Sequence, residues 1–360
     1  MEENSSKSGI KLIAELAGVS IGTVDRVLHN RPGVNKETKE KVLKIIQELN
    51  YQPNILARRL VSKKKFRFAV IIPAADQFNS YWVDHMKGVE RAQAEISQFG
   101  ISIDKLIYDQ HDVKSYAEKT QLIEKENYDG ILLVPFYYKE TYKLMNYCSG
   151  KDIPCVFIDT NLYSKDFAPL TFIGQNSFKS GYFAGRFFSY LVQTQEEVLV
   201  ISINAAKSAD NHVNYLQREE GFRKFINENK GYGARFLNFN SSENNYLEFL
   251  EKELKEALTK TASIKGIFVT NSRASIVAGV LDKLKLNGYR LLGYDLTEPN
   301  VRLLKEGKID FLISQDPANQ GYLGVQSLYR KLILNEEFEP EHYMPLDLIT
   351  RENIEFYGRE

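Results

Sequence analysis

Two periodicities divide the chain. Over residues 10–49 apolar side chains recur every three or four positions: Leu12, Ile13, Leu16 and Ala17, then Val24, Val27 and Leu28, then Val42, Ile45, Ile46 and Leu49. Such spacing puts each set on one face of a helix. Between the first two sets, Ala17-Gly18-Val19-Ser20 has the length of a helix-turn-helix elbow. Gly18 is free to take the positive φ of the turn, and Ser20 is a good N-cap for the next helix. Pro32-Gly33 closes that helix and Asn35 caps a third. The pattern predicts a small core of three helices.

From Phe66 onward short apolar runs alternate with helical patterns, which predicts parallel strands joined by crossover helices. One set of candidate strands covers 68–72, 101–108, 130–134, 155–159 and 170–174; a second covers 197–203, 234–239, 265–270, 290–294 and 311–314. The sets resemble each other: Gly130-Ile-Leu-Leu-Val parallels Gly266-Ile-Phe-Val-Thr, and Val156-Phe-Ile-Asp159 parallels Leu292-Gly-Tyr-Asp295. The expected architecture is an all-α N-terminal head on a two-lobed α/β body, each lobe an open, doubly wound parallel sheet. Boundaries follow: a disordered polar tail over 1–9, the head over 10–53, a hinge segment over 54–65 and the body over 66–360. Within the body, the first lobe takes about 66–175 and 316–338, and the second about 176–315 and 339–360.

Charge sharpens this division. The 360 residues are formally neutral, yet residues 1–65 hold thirteen Lys and Arg against seven Asp and Glu, leaving the remainder at −6. A basic head on a mildly acidic body implies that the head alone meets a polyanion. The two cysteines have neither metal-ligand spacing nor the number for a disulfide framework. The N-terminal MEENSSKSG lacks the apolar stretch of a signal peptide, and no run of 18 apolar residues occurs. The expected location is the cytoplasm, at the nucleoid. Phosphate-loop, H-E-x-x-H and G-x-S-x-G motifs are missing, and the five histidines are scattered, so no catalysis, cofactor or metal is expected.

The repeat itself selects residues. Asp159 and Asp295 end equivalent strands in opposite lobes, so they should face each other across the crevice at the carboxyl ends of the sheets. Asn271 and Gln315 end two further strands of the second set. Carboxylates and amides near aromatic rings suit a polyhydroxylated ligand, whose hydroxyls give and take directed hydrogen bonds. The alternative is that strand-end Asp and Asn serve as helix caps and turn formers.

The stretches AELAGVSIGTVDRVLHNR, VNKETKEKV and LNYQPNILARRL follow, nearly position for position, the head and hinge helix of the lactose/galactose repressor family. The chain resembles that family over about fifty contiguous residues. The resemblance implies base contacts from Ile21, Gly22 and Arg26, of which Arg26 can grip guanine in bidentate fashion. It implies phosphate contacts from Ser20, Thr23, Asn35 and Thr38, the last four being equally good helix-start residues. In the hinge it implies DNA contacts from Tyr51, Asn54, Ala57 and Arg58, with Leu60 wedged between base steps in the minor groove. Asp25 and Gly22 depart from the family pattern and leave the operator sequence open.

The body is similar to the periplasmic sugar-binding proteins, the ribose-binding type in particular, over most of 66–335. That resemblance implies stacking aromatics at Phe78, Tyr81 and Trp82 and polar ligand contacts from Asp159, Asn176, Arg218, Asn271, Asp295 and Gln315. Where the ribose-type pattern has Arg after the first Asp, this chain has Thr160. Trp82 could also be plain core, and Gly181–Gly185 reads as close helix packing. The expected partners are therefore a pseudo-palindromic double-stranded operator, a small effector of the sugar or polyol class and a second copy of the chain. NIEFYGRE carries no heptad pattern, which favours a dimer. A transport or chemotaxis solute-binding protein is the alternative, disfavoured by the basic head and the absent signal peptide.

Overall fold

The computed structural model describes residues 9–28, 32–49, 65–75, 80–162, 164–204, 213–240 and 245–357. Tyr51, Asn54, Ala57, Arg58, Leu60, Phe78 and nearly all of the hinge and tail segments lie outside the described residues. The chain divides into two compact units, Met1–Lys63 and Lys64–Glu360.

In the head, α1 (Ile10–Ala17), α2 (Ile21–Leu28) and α3 (Lys36–Glu48) enclose Ile13, Ala14, Ala17, Val24, Val27 and Val42. Gly18 ends α1 at φ 69°, the left-handed conformation the elbow needs. The expected apolar face of α1 is shifted: Leu16 is 52% exposed and Ala14 is buried in its stead.

The body holds two six-stranded sheets. The first runs in the spatial order β11-β5-β4-β3-β1-β2 and is built from β1 (Phe66–Pro73), β2 (Ile101–Tyr108), β3 (Gly130–Leu133), β4 (Cys155–Ile158), β5 (Thr171–Gly174) and β11 (Glu341–Tyr343). The second runs β12-β10-β9-β8-β6-β7, with β6 (Glu197–Asn204), β7 (Gly233–Asn240), β8 (Ile264–Val269), β9 (Arg290–Tyr294), β10 (Phe311–Ser314) and β12 (Asp347–Ile349). Omitting the edge strands β11 and β12, the two orders are the same, so the internal repeat of the sequence is a repeat of topology. Strands β3, β4 and β5 are buried throughout, which is why they read as unbroken apolar runs.

The lobe boundary near the C-terminus differs from the sequence expectation. Glu341–Tyr343 pairs in parallel with β5 of the first lobe, and only Asp347–Ile349 joins the second lobe, antiparallel to β10. The third crossover therefore falls at 344–346 and not at 338/339. Each of the other two crossovers sends a helix into the opposite lobe. After β5, α7 (Ser177–Phe188) packs on α8 (Val213–Asn229) in the second lobe; after β10, α12 (Pro317–Tyr329) packs on α4 (Tyr81–Ile96) in the first. These pairs touch backbone to backbone. A methyl on Gly181 would sit 1.9 Å from the carbonyl oxygen of Arg218, and one on Gly88 1.7 Å from that of Ala318. The Gly181–Gly185 spacing is thus helix packing, as expected.

Candidate functional site

On the head, the residues expected to meet bases occupy one side of α2. Ile21, Gly22 and Arg26 are exposed, whereas Val24 and Val27 point into the core. Of the four small polar residues, Ser20 and Asn35 cap their helices, and Thr23 and Thr38 supply the amides they bind. Ser20 Oγ accepts from the Thr23 amide at 3.1 Å, and Asn35 Oδ1 accepts from the Thr38 amide at 2.7 Å. Two capped helix N-termini leave further amides free to meet an anion, so capping and phosphate contact are compatible.

In the body, Asp159 follows β4 and Asp295 follows β9, each in the left-handed region (φ 63° and 67°). Backbone bonds hold both turns. The Asp295 amide donates to Ile313 O, and the Asp159 amide donates to Gln320 Oε1 and Ile173 O. Asp159, Arg218, Asp295 and Gln315 are only 6, 3, 2 and 4% exposed, so their hydrogen bonds decide their energetics. In the second lobe these bonds form one line: Arg218 donates to Thr270 O (2.7 Å) and to Gln315 Oε1 (2.5 Å), and Gln315 Nε2 donates to both oxygens of Asp295 (3.1 and 3.0 Å). The Arg218 guanidinium lies 3.8 Å above the Tyr294 ring centroid, and its Nε is buried without a hydrogen-bond partner among the described residues. Burial pushes the Asp295 carboxyl up to about 7, helped by the nearby Asp159 charge and opposed by Arg218 and Gln315.

The first lobe answers with Asp159. Its carboxylate accepts from Tyr81 Oη at 2.6 Å and Thr160 Oγ1 at 2.9 Å, and from Asn214 Nδ2 of the second lobe at 3.3 Å. Burial, together with the two carboxylates Asp159 and Asp295, holds the Tyr81 phenol well above its ordinary value, so it acts as a donor. The His85 imidazole beneath it is pushed down by burial and stays neutral. Where the three crossovers meet, Gln175 Nε2 donates to Ser314 O and Pro345 O, both at 2.7 Å, and ties the hinge strands together.

The remaining expected residues fall as follows. Trp82 is buried in the first-lobe core against Tyr81, His85 and Phe136, and its Nε1 donates to Gln110 Oε1 at 3.3 Å. Asn176 caps α7 through the Lys179 amide. Asn271 Nδ2 donates to Ile203 O at 2.6 Å, fastening β8 to β6. For Asn176 and Asn271 the side chain has a structural task, the alternative weighed for strand-end residues. Asn214, Gln175, Gln320 and Tyr294 were not singled out by sequence; of these only Gln175 had a cue, beside Asn176 at the first crossover. Among the described residues no group of three or more His, Cys, Asp or Glu could hold a metal ion, and no helix is long and apolar enough to cross a membrane.

A helix-turn-helix head joined to a hinged, two-sheet body with polar strand ends defines a class: DNA-binding regulators built on a periplasmic-binding-protein fold. Residues 9–54 match the family described as bacterial regulatory proteins, lacI family, and residues 68–337 match the periplasmic binding protein domain. A solved structure from Bacteroides fragilis assigned to the LacI transcriptional regulators is 32% identical, with a TM-score of 0.75, over 82% of this chain and 100% of that one. The chain belongs to the lacI family of bacterial regulatory proteins. The ribose operon repressor of Halalkalibacterium halodurans is 27% identical over 78% of this chain and 76% of its own. The transcriptional regulator RegA of Clostridium saccharobutylicum is 29% identical over 42% of this chain. The chain spans about half the length of the first curated relatives it matches, 44% of RegA and 58% of the repressor ExuR of Bacillus subtilis.

Proposed function

We propose that this chain is a sequence-specific DNA-binding transcription regulator, a repressor, whose operator affinity is set by a small sugar or related polyol held between the two lobes of the body. The observation that carries the ligand class is the line Arg218–Gln315–Asp295 with Asp159 and Tyr81 nearby. A buried carboxylate bonded, among the described residues, through one amide nitrogen has acceptor sites to spare, and neutral hydroxyls fill them without adding a charge to the interior. The name of the ribose operon repressor supports a sugar; Thr160, in the place of a cation, speaks against assuming ribose itself.

In this reading two chains pair through their bodies and present two copies of α2 to a pseudo-palindromic site, with Arg26 the principal base reader. The regulator acts in the cytoplasm. Effector binding alters the angle between the lobes about the crossovers pinned by Gln175. Its leverage equals its difference in affinity for the two lobe arrangements. The test is a thermal-shift screen of the purified chain with D-ribose, L-arabinose, D-galactose, D-glucose and myo-inositol. A ligand at 100 times its Kd stabilises by about 2.7 kcal/mol, a readable rise. The reading requires that Arg218→Ala abolish the rise; no rise with any polyol would contradict the ligand class.

A further inference from the structure

The side chain of Asn214, in the first turn of α8 on the second lobe, is hydrogen-bonded across the cleft. Its Nδ2 lies 3.1 Å from Asp159 O, 3.3 Å from Asp159 Oδ2 and 3.2 Å from Thr160 Oγ1, all on the first lobe. Thr160 in turn donates to Asp159 Oδ2 at 2.9 Å, and Tyr81 donates to the other carboxylate oxygen. A carboxylate offers about four acceptor positions. Three of those on Asp159 are met by protein donors, two of them from the Thr160–Asn214 pair. Among the described residues Asp295 is met by one donor group, Gln315 Nε2, shared between its two oxygens. The two strand-end aspartates are alike in sequence and in backbone conformation, yet among the described residues three protein groups donate to the Asp159 carboxylate and one to that of Asp295.

We propose that Asn214 and Thr160 form a clasp, a closing contact the protein makes with itself, and that they divide the labour between the two aspartates. Asp159 is the anchor of the clasp. Asp295, with Arg218 and its spare Nε, reads the ligand. Asn214 and Thr160 are then positioning residues: they set how firmly and for how long the lobes stay closed, by the same factor for every ligand, and they do not choose among ligands. The second half of this statement rests on the sugar reading above; the first half does not.

The experiment separates the two. Spin labels are placed on the full chain at the exposed positions Lys143→Cys in the first lobe and Lys255→Cys in the second, diluted with unlabelled chain; the native Cys148 and Cys155 are buried. Label distances are measured by electron–electron resonance for the parent, Asn214→Ala, Thr160→Val and the double variant. The clasp requires a longer distance population in each single variant. The double variant should go no further than the larger single effect, because both substitutions break one contact. Asn214→Asp, which sets a second carboxylate against Asp159, should open the lobes furthest. Single variants with the parent distribution, or two effects that add, overturn the clasp. With any sugar from the screen that binds, Asn214→Ala should raise the dissociation rate about tenfold and equally for each; a change that differs from sugar to sugar would make Asn214 a ligand contact and overturn the division of labour. If no sugar binds, the sugar reading fails while the distance measurement still decides the clasp.

Discussion

Asp295 carries the most quantitative consequence. Its carboxyl titrates at about 7 in the folded body against an ordinary 3.8, burial being the main cause. The folded state therefore holds the proton more tightly than the unfolded chain between those two values. Stability is fully present below about 3.8, is lost as pH rises toward 7, and levels off above it. At about 1.4 kcal/mol per tenfold difference, the ionised carboxylate costs on the order of 4 kcal/mol at pH 8. Asp295→Asn keeps the shape and an acceptor for Gln315 but cannot ionise. The variant should melt on the order of ten degrees above the parent at pH 8, given about 2 °C per kcal/mol for a body of this size. The two should converge as pH is lowered to 4. Ligand binding adds an independent readout. Hydroxyl donors favour the carboxylate, so apparent affinity should be flat above pH 7.5 and fall about tenfold per pH unit below 7. Thermal unfolding and calorimetric titration from pH 4 to 8 measure both. A melting difference that stays constant across that range, or an Asp295→Asn variant that binds sugar as the parent does, would refute the reasoning.

Three further outcomes follow from the packing and the head. Gly181→Ala forces a methyl against the Arg218 carbonyl 1.9 Å away, and backbone cannot rotate clear. It should cost about 1 to 3 kcal/mol in thermal unfolding and weaken ligand binding at least tenfold by moving Arg218; a neutral substitution would mean that α7 does not position α8. Arg26→Ala should weaken specific operator binding by about 1 to 3 kcal/mol in a gel-shift titration while sparing non-specific DNA, and equal losses on both would make Arg26 a phosphate contact. Ser20→Ala removes the α2 cap bonded to Thr23 and should destabilise the head by about 1 kcal/mol, visible as faster amide exchange in Ile21–Leu28.

Period and repetition in the sequence were enough to give the ten principal strands and the opposed pair Asp159 and Asp295, because buried parallel strands leave unbroken apolar runs and a duplicated lobe repeats them. The edge strands Glu341–Tyr343 and Asp347–Ile349 were not legible. Three residues carry no period, and their sheet membership is decided by the partner strand. Leu16 illustrates the same limit inside a helix: the apolar spacing predicts its burial, yet it is exposed and Ala14 is buried. Asn176 and Asn271 looked like ligand residues by position, and both have their side chains committed to the fold. Asn214 gave no signal at all: a polar residue in the first turn of a helix is ordinary, and only the folded cleft brings it to Asp159.

The central claim is that a ligand of the body controls the grip of the head on DNA. Its direct measurement is fluorescence anisotropy of a labelled operator, selected from a palindromic library, titrated with the full chain at fixed salt with and without the sugar that gives the largest thermal shift. Operator Kd should change by about 5- to 150-fold, an effect lost in Asp295→Asn, with no change on non-specific DNA. An operator Kd that the bound sugar leaves unaltered would contradict it.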